Sequence, residues 1–528
     1  MQSSKISFIV LLTLGAFFFS CKKKAATTIS NGGKQAPNII YILADDLGYG
    51  EVGVYGQQKI ETPHIDALAR EGMLFTQHYT SAPVCAPARY MLMTGQHSGN
   101  SYIRGNDEWA ERGDVWDYRA MAKDSTLEGQ RPIPENTITL PQKLKEVGYV
   151  TGMVGKWGLG APHTNAIPTK MGYDFFFGYN CQRQAHTYYP LHLYKNENRV
   201  HLGNDTIAPH TGLAEGLDPT LTDTYKPYNL KQYAPDLLFQ ELSSFVATNK
   251  EHPFFLYWAT PIPHVPIQAP KKWVDHYIEK FGDETPYTAG KGMGYFPHKN
   301  PRAGYAAMIS YLDENIGKLV GQLKSEGIYD NTLIIFTSDN GPSYAGGADP
   351  EWFNSGGLFD ATYGKGKGFV HEGGIRVPMI ATWPNRIKAE STSDHISAHY
   401  DVMATLADLT GFTAPAPNDG ISFLPTLLNK ETQQVHEFLF WEFPEYGGQV
   451  AIRMGNWKVI RKNLKTDKEA PTLELYNLRN DPKELNNLAS DHPEIIKRAA
   501  EIFKREHQNA VLDRFRIPVI ETGVLVDN

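Results

Sequence analysis

The chain has 528 residues, of which 41% are hydrophobic and 21% are charged, a composition ordinary for a globular protein. This length exceeds what a single core usually supports, so it predicts a large domain joined to a smaller one. The net charge is −7, from 51 basic and 58 acidic residues. Since no long basic run follows the N-terminal region, nucleic acid is disfavoured as a partner.

Residues 1–21 have the pattern of a secretory signal, with an apolar stretch from Ile6 to Phe19 that is short for a membrane span. Because the stretch ends in Ser20-Cys21, we predict a bacterial lipoprotein signal that is cleaved before Cys21 and acylated on its thiol. The alternative is an ordinary signal peptide that is cleaved nearby. The basic and polar residues 22–36 predict a flexible tether. We therefore expect an exported, periplasmic protein that touches the membrane through its lipid anchor only.

The cysteine count constrains how the protein is stabilised. Only Cys21, Cys85 and Cys181 occur, so this exported chain has no disulfide framework. Its stability must come from core packing and from any bound metal.

Apolar runs alternate with amphipathic stretches over residues 37–430, which we predict to be one catalytic domain. The predicted strands are 38–43, 149–154, 254–258, 332–337 and 377–383, and the predicted helices include 62–71, 139–147 and 304–326. Continuous apolar strands are typical of a sheet that is buried on both faces. The pattern predicts an α/β fold, an α/β/α sandwich around a mostly parallel sheet.

Residues 431–528 have a different pattern, with short apolar runs in close succession. The predicted strands are 438–443, 450–454, 457–461 and 473–477, followed by a helix over 493–507. Closely spaced strands indicate an antiparallel sheet, so we predict a smaller C-terminal α+β domain.

Polar side chains follow two of the predicted strands directly. Asp45 and Asp46 come after strand 38–43, and Asp339 and Asn340 come after strand 332–337. Acids beside glycines are also ordinary turn residues. However, the carboxyl ends of parallel strands meet at one edge of the sheet, where ligands bind. Carboxylate and amide oxygens suit Ca²⁺ or Mg²⁺ better than Zn²⁺, so these strand ends predict a hard-cation site.

The segment Cys85-Ala86-Pro87-Ala88-Arg89 begins a predicted helix. A thiol at this place lies in the positive field of the free N–H groups of the helix, which suits a nucleophile that meets an anion. The alternative is a buried, unreactive cysteine.

Three loops carry further candidate residues. Lys156 follows strand 149–154, His264 lies between the prolines of segment 260–266, and Lys367 belongs to a Gly/Lys-rich loop over 364–378. Prolines give a histidine a preset position, and a Gly/Lys loop can bind an anion. Taken singly, each of these residues is equally an ordinary loop residue.

Together these segments resemble the type I sulfatases, and in particular the exported, arylsulfatase-like glycan sulfatases of bacteria. The motif C-x-P-x-R at Cys85 resembles their maturation signature. Residues 148–160 resemble G-Y-x-T-x-x-x-G-K-W-H-x-G, and residues 364–378 resemble G-K-G-x-x-x-E-G-G-x-R-x-P. The resemblance covers residues 38–488 and implies an alkaline-phosphatase-like fold.

The resemblance also implies a role for each candidate. A formylglycine-generating or sulfatase-maturing enzyme would convert Cys85 to formylglycine, with Arg89 as its partner. Lys156 and Lys367 would hold the sulfate, and His264 would protonate the leaving oxygen. The implied Ca²⁺ ligands are Asp45, Asp46, residue 85, Asp339 and Asn340. The implied reaction is hydrolysis of a sulfate ester, and export favours a sulfated saccharide as the substrate.

One departure from the family pattern concerns position 158. The family has a histidine there that contacts the formylglycine hydroxyl, whereas this chain has Gly158. His163 and His186 are nearby in sequence, but the pattern does not place either in the site. Arg104 and Asn106 are possible substrate contacts, and so is the polar and aromatic segment 179–190, at the start of a long stretch without clear periodicity.

Two other functions agree with part of the pattern. A phosphatase or phosphonate hydrolase on the same fold would keep the paired acids but would need more histidine ligands for a transition metal. A non-catalytic lipoprotein that binds sulfated glycans would explain a site disabled by Gly158.

Overall fold

The structure is a computed structural model that describes residues 36–205, 207–289, 294–466 and 468–521. The predicted signal lies outside these residues, and so does the predicted tether except for Ala36. Within the described ranges, no helix is long and apolar enough to cross a bilayer. The boundary that we place at residue 430 stays a prediction.

The strands are β1 (Asn38–Asp45), β2 (Met73–Phe75), β3 (His78–Tyr79), β4 (Val150–Lys156), β5 (Phe175–Tyr179), β6 (His192–Lys195), β7 (Asn198–His201), β8 (Phe254–Pro263), β9 (Thr332–Ser338), β10 (Met379–Thr382), β11 (Ser391–Ser393), β12 (Ser397–Ala398), β13 (Leu439–Phe443), β14 (Gln449–Met454), β15 (Trp457–Lys462) and β16 (Thr472–Asn477). The helices are α1 (Pro63–Glu71), α2 (Cys85–Thr94), α3 (Tyr118–Lys123), α4 (Leu140–Glu146), α5 (Ala234–Asn249), α6 (Lys271–Phe281), α7 (Pro301–Ser325), α8 (Pro350–Phe353), α9 (Glu372–Ile375), α10 (Asp401–Thr410), α11 (Leu424–Leu427), α12 (Pro493–Glu506) and α13 (Pro518–Glu521).

A ten-stranded sheet has the order β11-β2-β10-β9-β1-β8-β4-β5-β6-β7. Its centre, from β9 to β5, is parallel, and β10, β6 and β7 are antiparallel to their neighbours. The carboxyl ends of β9, β1, β8 and β4 therefore lie side by side at one edge of the sheet.

Helices cover both faces of this sheet. Along β1, Ile40 and Ile42 point into the core that includes side chains of α1, α5 and α7. Ile39 and Tyr41 point into the opposite core, which includes side chains of α2, α4 and α10. Every residue of β1 is buried, because successive side chains of a strand point to opposite faces and both faces are covered. The predicted α/β/α sandwich is confirmed.

The C-terminal part contains a four-stranded antiparallel sheet in the order β13-β14-β15-β16. Ile502 and Phe503 of α12 share a core with Val450 and Ile452 of β14. This confirms the predicted antiparallel sheet and its helix.

The structure differs from the sequence prediction in three places. The strands β2, β3, β11 and β12 have only two or three residues each, too few for a periodic pattern. The segment after residue 180 contains the hairpin of β6 and β7. The strand β8 extends beyond the predicted residue 258 to Pro263, which pairs with Asp45 at the edge of the sheet.

Candidate active site

Three acids lie where β1 and β9 end. Asp45 is the last residue of β1, and Asp46 follows in a left-handed turn with φ of 67°, which Asp tolerates better than most residues. The Asp46 amide donates a hydrogen bond to Asp339 Oδ1 over 3.1 Å, and the Asp339 amide donates to the Ala44 carbonyl over 3.0 Å. These bonds hold the three buried carboxylates next to one another.

Cys85 is the first residue of α2 and is 2% exposed. Its Sγ donates a hydrogen bond to Asp45 Oδ1 over 3.4 Å. The amide of Ala86, one of the free N–H groups at the helix start, donates to Asn106 Oδ1 over 3.1 Å. Cys85 therefore begins a helix, as its motif predicts, and it contacts the acid at the end of β1.

Arg89 lies one turn further along α2 and joins three elements. Its Nε and Nη2 donate to Asp339 Oδ2 over 3.1 and 2.8 Å, and its Nη1 donates to the carbonyl of Lys156 over 2.7 Å. Since Arg89 is 1% exposed, these three hydrogen bonds fix α2 against the ends of β9 and β4.

Two lysines bond the acids of β1. The Nζ of Lys156 lies 2.6 Å from Asp45 Oδ2, and the Nζ of Lys367 lies 2.7 Å from Asp46 Oδ2. Lys365 instead donates to the carbonyls of Lys483 and Glu484. This difference agrees with the choice of Lys367 for the site.

His264 follows β8 and faces the acids through Nε2. Its Nδ1 donates to the carbonyl of Val265 over 2.5 Å, so Nε2, 3.7 Å from Asp46 Oδ2, is the atom that faces the site. Burial and the nearby Lys367 lower the pKa of His264 to about 4.

The buried charges shift the pKa values of two other groups. Burial and the charge of Asp45 raise the pKa of Asp339 to about 6. Burial, above all, raises the pKa of the Cys85 thiol. The unconverted cysteine is therefore protonated at neutral pH and is a poor nucleophile.

The donor set fits a cation. One ligand atom each from Asp45, Asp46, Cys85 and His264 lie within 4.8 Å of one another. Asn340 donates to Asp46 Oδ1 over 2.8 Å, while its buried Oδ1 has no partner among the described residues. A buried amide oxygen without a donor, beside carboxylates, is the environment that a hard cation prefers.

All nine predicted site residues meet at this edge of the sheet, but other candidates do not. The guanidinium of Arg104 is 2% exposed and paired with Glu442 over 2.5 Å, so its suggested role as a substrate contact is wrong. His163 is bonded to Ser125 at the surface. Asn106 accepts a hydrogen bond from the amide of Ala86 and so stabilises the start of α2.

The sequence did not reveal the place of His186, whose ring stacks on that of His264 at 5.1 Å with an interplanar angle of 10°. His210 Nδ1 is 3.2 Å from the carbonyl of Gly294, to which it must donate. Its Nε2 then accepts from His186 Nδ1 over 2.9 Å, because burial lowers the pKa of both rings and keeps them neutral. This leaves Nε2 of His186 as a hydrogen-bond acceptor.

Comparisons with known proteins agree with this geometry. The profile of the Sulfatase family matches residues 37–412, and the profile described as N-sulphoglucosamine sulphohydrolase, C-terminal, matches residues 357–509. The human N-acetylgalactosamine-6-sulfatase is 31% identical over 416 residues, which cover 76% of this chain and 67% of that protein. The N-acetylgalactosamine-6-O-sulfatase of Bacteroides thetaiotaomicron is 29% identical over 552 residues, which cover 93% and 96%.

Solved structures show the same fold. The crystal structure of Ps i-CgsB in complex with k-i-k-neocarrahexaose is 28% identical, with a TM-score of 0.69 over 90% of this chain and 94% of that chain. The phosphonate monoester hydrolase of Agrobacterium radiobacter is 20% identical, with a TM-score of 0.59 over 89% and 95%, and shares the fold alone. Because the family profile covers most of the chain and its signatures converge at the strand ends, this protein belongs to the sulfatase family.

Proposed function

We propose that the protein removes sulfate from a sulfated saccharide by means of a formylglycine made from Cys85 and a bound Ca²⁺. The observation that carries this proposal is the convergence of Cys85, three carboxylates, two lysines and His264 at one buried sheet edge. The names of two relatives make N-acetylgalactosamine 6-sulfate the first substrate to test. We also propose, from the sequence alone, export and anchoring at Cys21.

Two groups complete the proposed site. A formylglycine at position 85, made by a formylglycine-generating or sulfatase-maturing enzyme, would supply the oxygen nucleophile as its hydrate. Ca²⁺ would be held by residue 85, Asp45, Asp46, Asp339 and Asn340, and would supply positive charge beside the sulfate. The free amide oxygen of Asn340 supports this ligand set.

The remaining side chains bind and orient the substrate. The ammonium groups of Lys156 and Lys367 already lie against anionic oxygens, and they would bind the sulfate oxygens in the same way. Arg89 acts through Asp339 and the Lys156 carbonyl, so it is a positioning residue. His264 is neutral in the free site, where its pKa is lowered to about 4, so it would have to take up a proton at Nε2 when the anionic sulfate binds. It would then give that proton to the departing alcohol oxygen, because its Nδ1 is committed to Val265.

Aromatic and histidine rings next to His264 suit a sugar. Tyr295 lies edge-on to His264 at 5.8 Å and to His186 at 5.3 Å. The acceptor Nε2 of His186 would take a hydrogen bond from a sugar hydroxyl. These rings support a saccharide as the substrate.

The proposed function predicts sulfate release from N-acetylgalactosamine 6-sulfate by protein that is coexpressed with a sulfatase-maturing enzyme. Free sulfate is measured by ion chromatography, with the 4-sulfate and N-acetylglucosamine 6-sulfate as comparison substrates. Release from none of a panel of sulfated saccharides, by protein shown to carry formylglycine, would contradict the proposal.

A role for His264 as the acid predicts that the loss caused by His264→Ala depends on the leaving group. For a saccharide sulfate, whose alcohol leaves poorly, we expect kcat to fall by about 10²–10⁴-fold. For a nitrophenyl sulfate, whose phenolate leaves without a proton, we expect a loss below about tenfold. Equal losses on both substrates would show that His264 is not the proton donor.

The proposed calcium site predicts that Ca²⁺ raises the unfolding temperature. A ligand at about 100 times its Kd stabilises the folded state by about 2.7 kcal/mol. Asn340→Leu, which removes the free amide oxygen, should abolish most of this shift. Asn204→Leu is the control, because Asn204 is also buried but its amide bonds Pro190, Lys231 and Gln232. An equal calcium response in both variants would refute the assignment of Asn340.

A further inference from the structure

Gly158 lies beside a side chain from another part of the chain. Its φ is 75°, and a Cβ at this position would lie 2.8 Å from Nε2 and 2.9 Å from Cγ of Gln182. The amides of Trp157 and Gly158 donate to the carbonyls of Tyr179 and Asn180 over 2.9 and 3.3 Å, so the two segments run together in a fixed register. Gln182 therefore occupies the space that a side chain at position 158 would enter.

The backbone of Gln182 is held in place, but its side-chain Nε2 lacks a partner among the described residues. Gln182 is 5% exposed, and its backbone amide donates to Gln130 Oε1 over 2.8 Å. Its carbonyl accepts from the amide of Ala185 over 3.0 Å. The side-chain Nε2 is buried and has no hydrogen-bond partner among the described residues. Because buried amide groups almost always have partners, this one indicates a ligand with an acceptor atom.

The chemistry of Nε2 selects the kind of acceptor. A carboxamide nitrogen donates hydrogen bonds and takes up no proton. The oxygens of a sulfate group only accept hydrogen bonds, so they are suitable partners for Nε2. Lys156, two residues before Gly158, bonds Asp45, and Asp45 contacts Cys85. Gln182 therefore covers the segment that directly follows a lysine of the site.

We propose that Gln182 donates a hydrogen bond from Nε2 to an oxygen of the bound sulfate, beside Lys156 and Lys367. This inference rests on the proposed function. It assigns a contact to a residue outside the motifs that the family resemblance covers, a residue that fills the space where Gly158 has no side chain. Gln182 would bind sulfate but would not act as a base.

The inference is tested by binding, without turnover, on the unconverted protein with Cys85 intact. Inorganic sulfate is titrated calorimetrically in the presence of Ca²⁺. We expect Gln182→Ala to weaken the Kd for sulfate about tenfold, the effect of losing one hydrogen bond to a charged group. Gln182→Glu keeps the shape but replaces the hydrogen-bond donor with a carboxylate, which repels sulfate. It should therefore weaken the binding of sulfate by more than Gln182→Ala does.

The same variants are then matured and assayed. We expect kcat/KM for the saccharide sulfate to fall about 10²-fold in Gln182→Ala and further in Gln182→Glu. Adding Gly158→His to Gln182→Ala should recover part of the loss, since histidine is among the residues that adopt a positive φ and the space above it is then open. Gln322→Ala, on α7, removes a half-buried amide that bonds Ser243, and should leave both measurements unchanged.

The inference would be overturned if Gln182→Glu bound sulfate as tightly as the wild type, or more tightly than Gln182→Ala does. Either result would show that the side chain is needed for its shape alone. If the wild type and these variants bind inorganic sulfate equally well and release sulfate from the substrate at equal rates, only the role of Gln182 fails. If the matured wild type releases no sulfate, the proposed function itself fails.

Discussion

Replacing Cys85 with alanine should reduce sulfate release by on the order of 10⁴-fold or more, because loss of the nucleophile leaves only substrate binding and electrostatic stabilisation. The fold should survive, since Cys85 is a small residue whose Sγ donates a weak hydrogen bond over 3.4 Å to Asp45. The measurement is the rate of sulfate release by matured protein, together with the unfolding temperature.

Cys181→Ala is the matched control. Cys181 is also buried, and its Sγ lies 3.9 Å from Glu108 and from Met121, outside the strand-end site. We expect this variant to keep its activity. Substantial sulfate release by Cys85→Ala would contradict a mechanism in which residue 85 carries the nucleophile.

The second large effect concerns stability. Lys458, on β15, is fully buried, and its Nζ lies 2.9 Å from Glu372 and 3.0 Å from Glu484. Glu372 begins α9, in the loop that carries Lys367, and it also bonds Arg376 over 3.0 Å. Because Lys458→Met leaves buried carboxylates without this cation, we expect the free energy of unfolding to fall by about 3–5 kcal/mol.

The control for this prediction lies on the same strand. Lys462 is paired with Glu474 over 2.9 Å but is 25% exposed, so Lys462→Met should cost about 0–1 kcal/mol. Denaturant unfolding of the two variants gives both values. Equal effects would show that the buried contact between the C-terminal sheet and the Lys367 loop adds no stability beyond that of a partly exposed pair.

The same cluster predicts a dependence on acid. Burial alone would raise the pKa of Glu372, but Lys458 and the two arginines near it lower that pKa to about 2. A carboxyl group with a lowered pKa stabilises the folded state above its unfolded pKa of about 4.3, and this stability is lost as the pH falls towards 2. Lys458→Met should therefore reduce the loss of stability over this range.

The strands that carry the site were predictable because each is a continuous apolar run followed directly by polar residues. β1, β4 and β9 begin or end within one or two residues of their predicted limits. The short β2 and β11 were not predictable, because three residues show no periodicity and these strands form only through pairing with each other and with β10.

The site itself was predictable where the strand ends carry it. Asp45, Asp339 and Lys156 lie at the ends of parallel strands in the centre of one sheet, and the carboxyl ends of such strands lie along the same edge. Gln182 and His186 belong to segment 179–190, which the sequence offers as a possible substrate contact, but their individual places were not predictable, because both lie on a short turn that follows β5. That turn lies against Gly158 and His264 because of tertiary packing, which no periodicity in the sequence indicates.

The two other functions considered from the sequence make opposite predictions. A phosphatase would release phosphate with a bound metal and would need no aldehyde. A glycan-binding protein would retain a sulfated saccharide without turnover. Among the described residues, four site groups place ligand atoms within 4.8 Å of one another, and His264 is the one histidine in this group. A donor set with so little histidine suits a hard cation better than a transition metal.

The most direct test of the proposed mechanism is a mass spectrum of the tryptic peptide that contains residue 85, from protein expressed with a sulfatase-maturing enzyme. We expect the mass of formylglycine at this position, in protein that releases sulfate from a sulfated saccharide. Unmodified cysteine at position 85 in protein with full activity would contradict the proposed mechanism. Unmodified cysteine in inactive protein that still binds a sulfated saccharide would favour the binding-protein function.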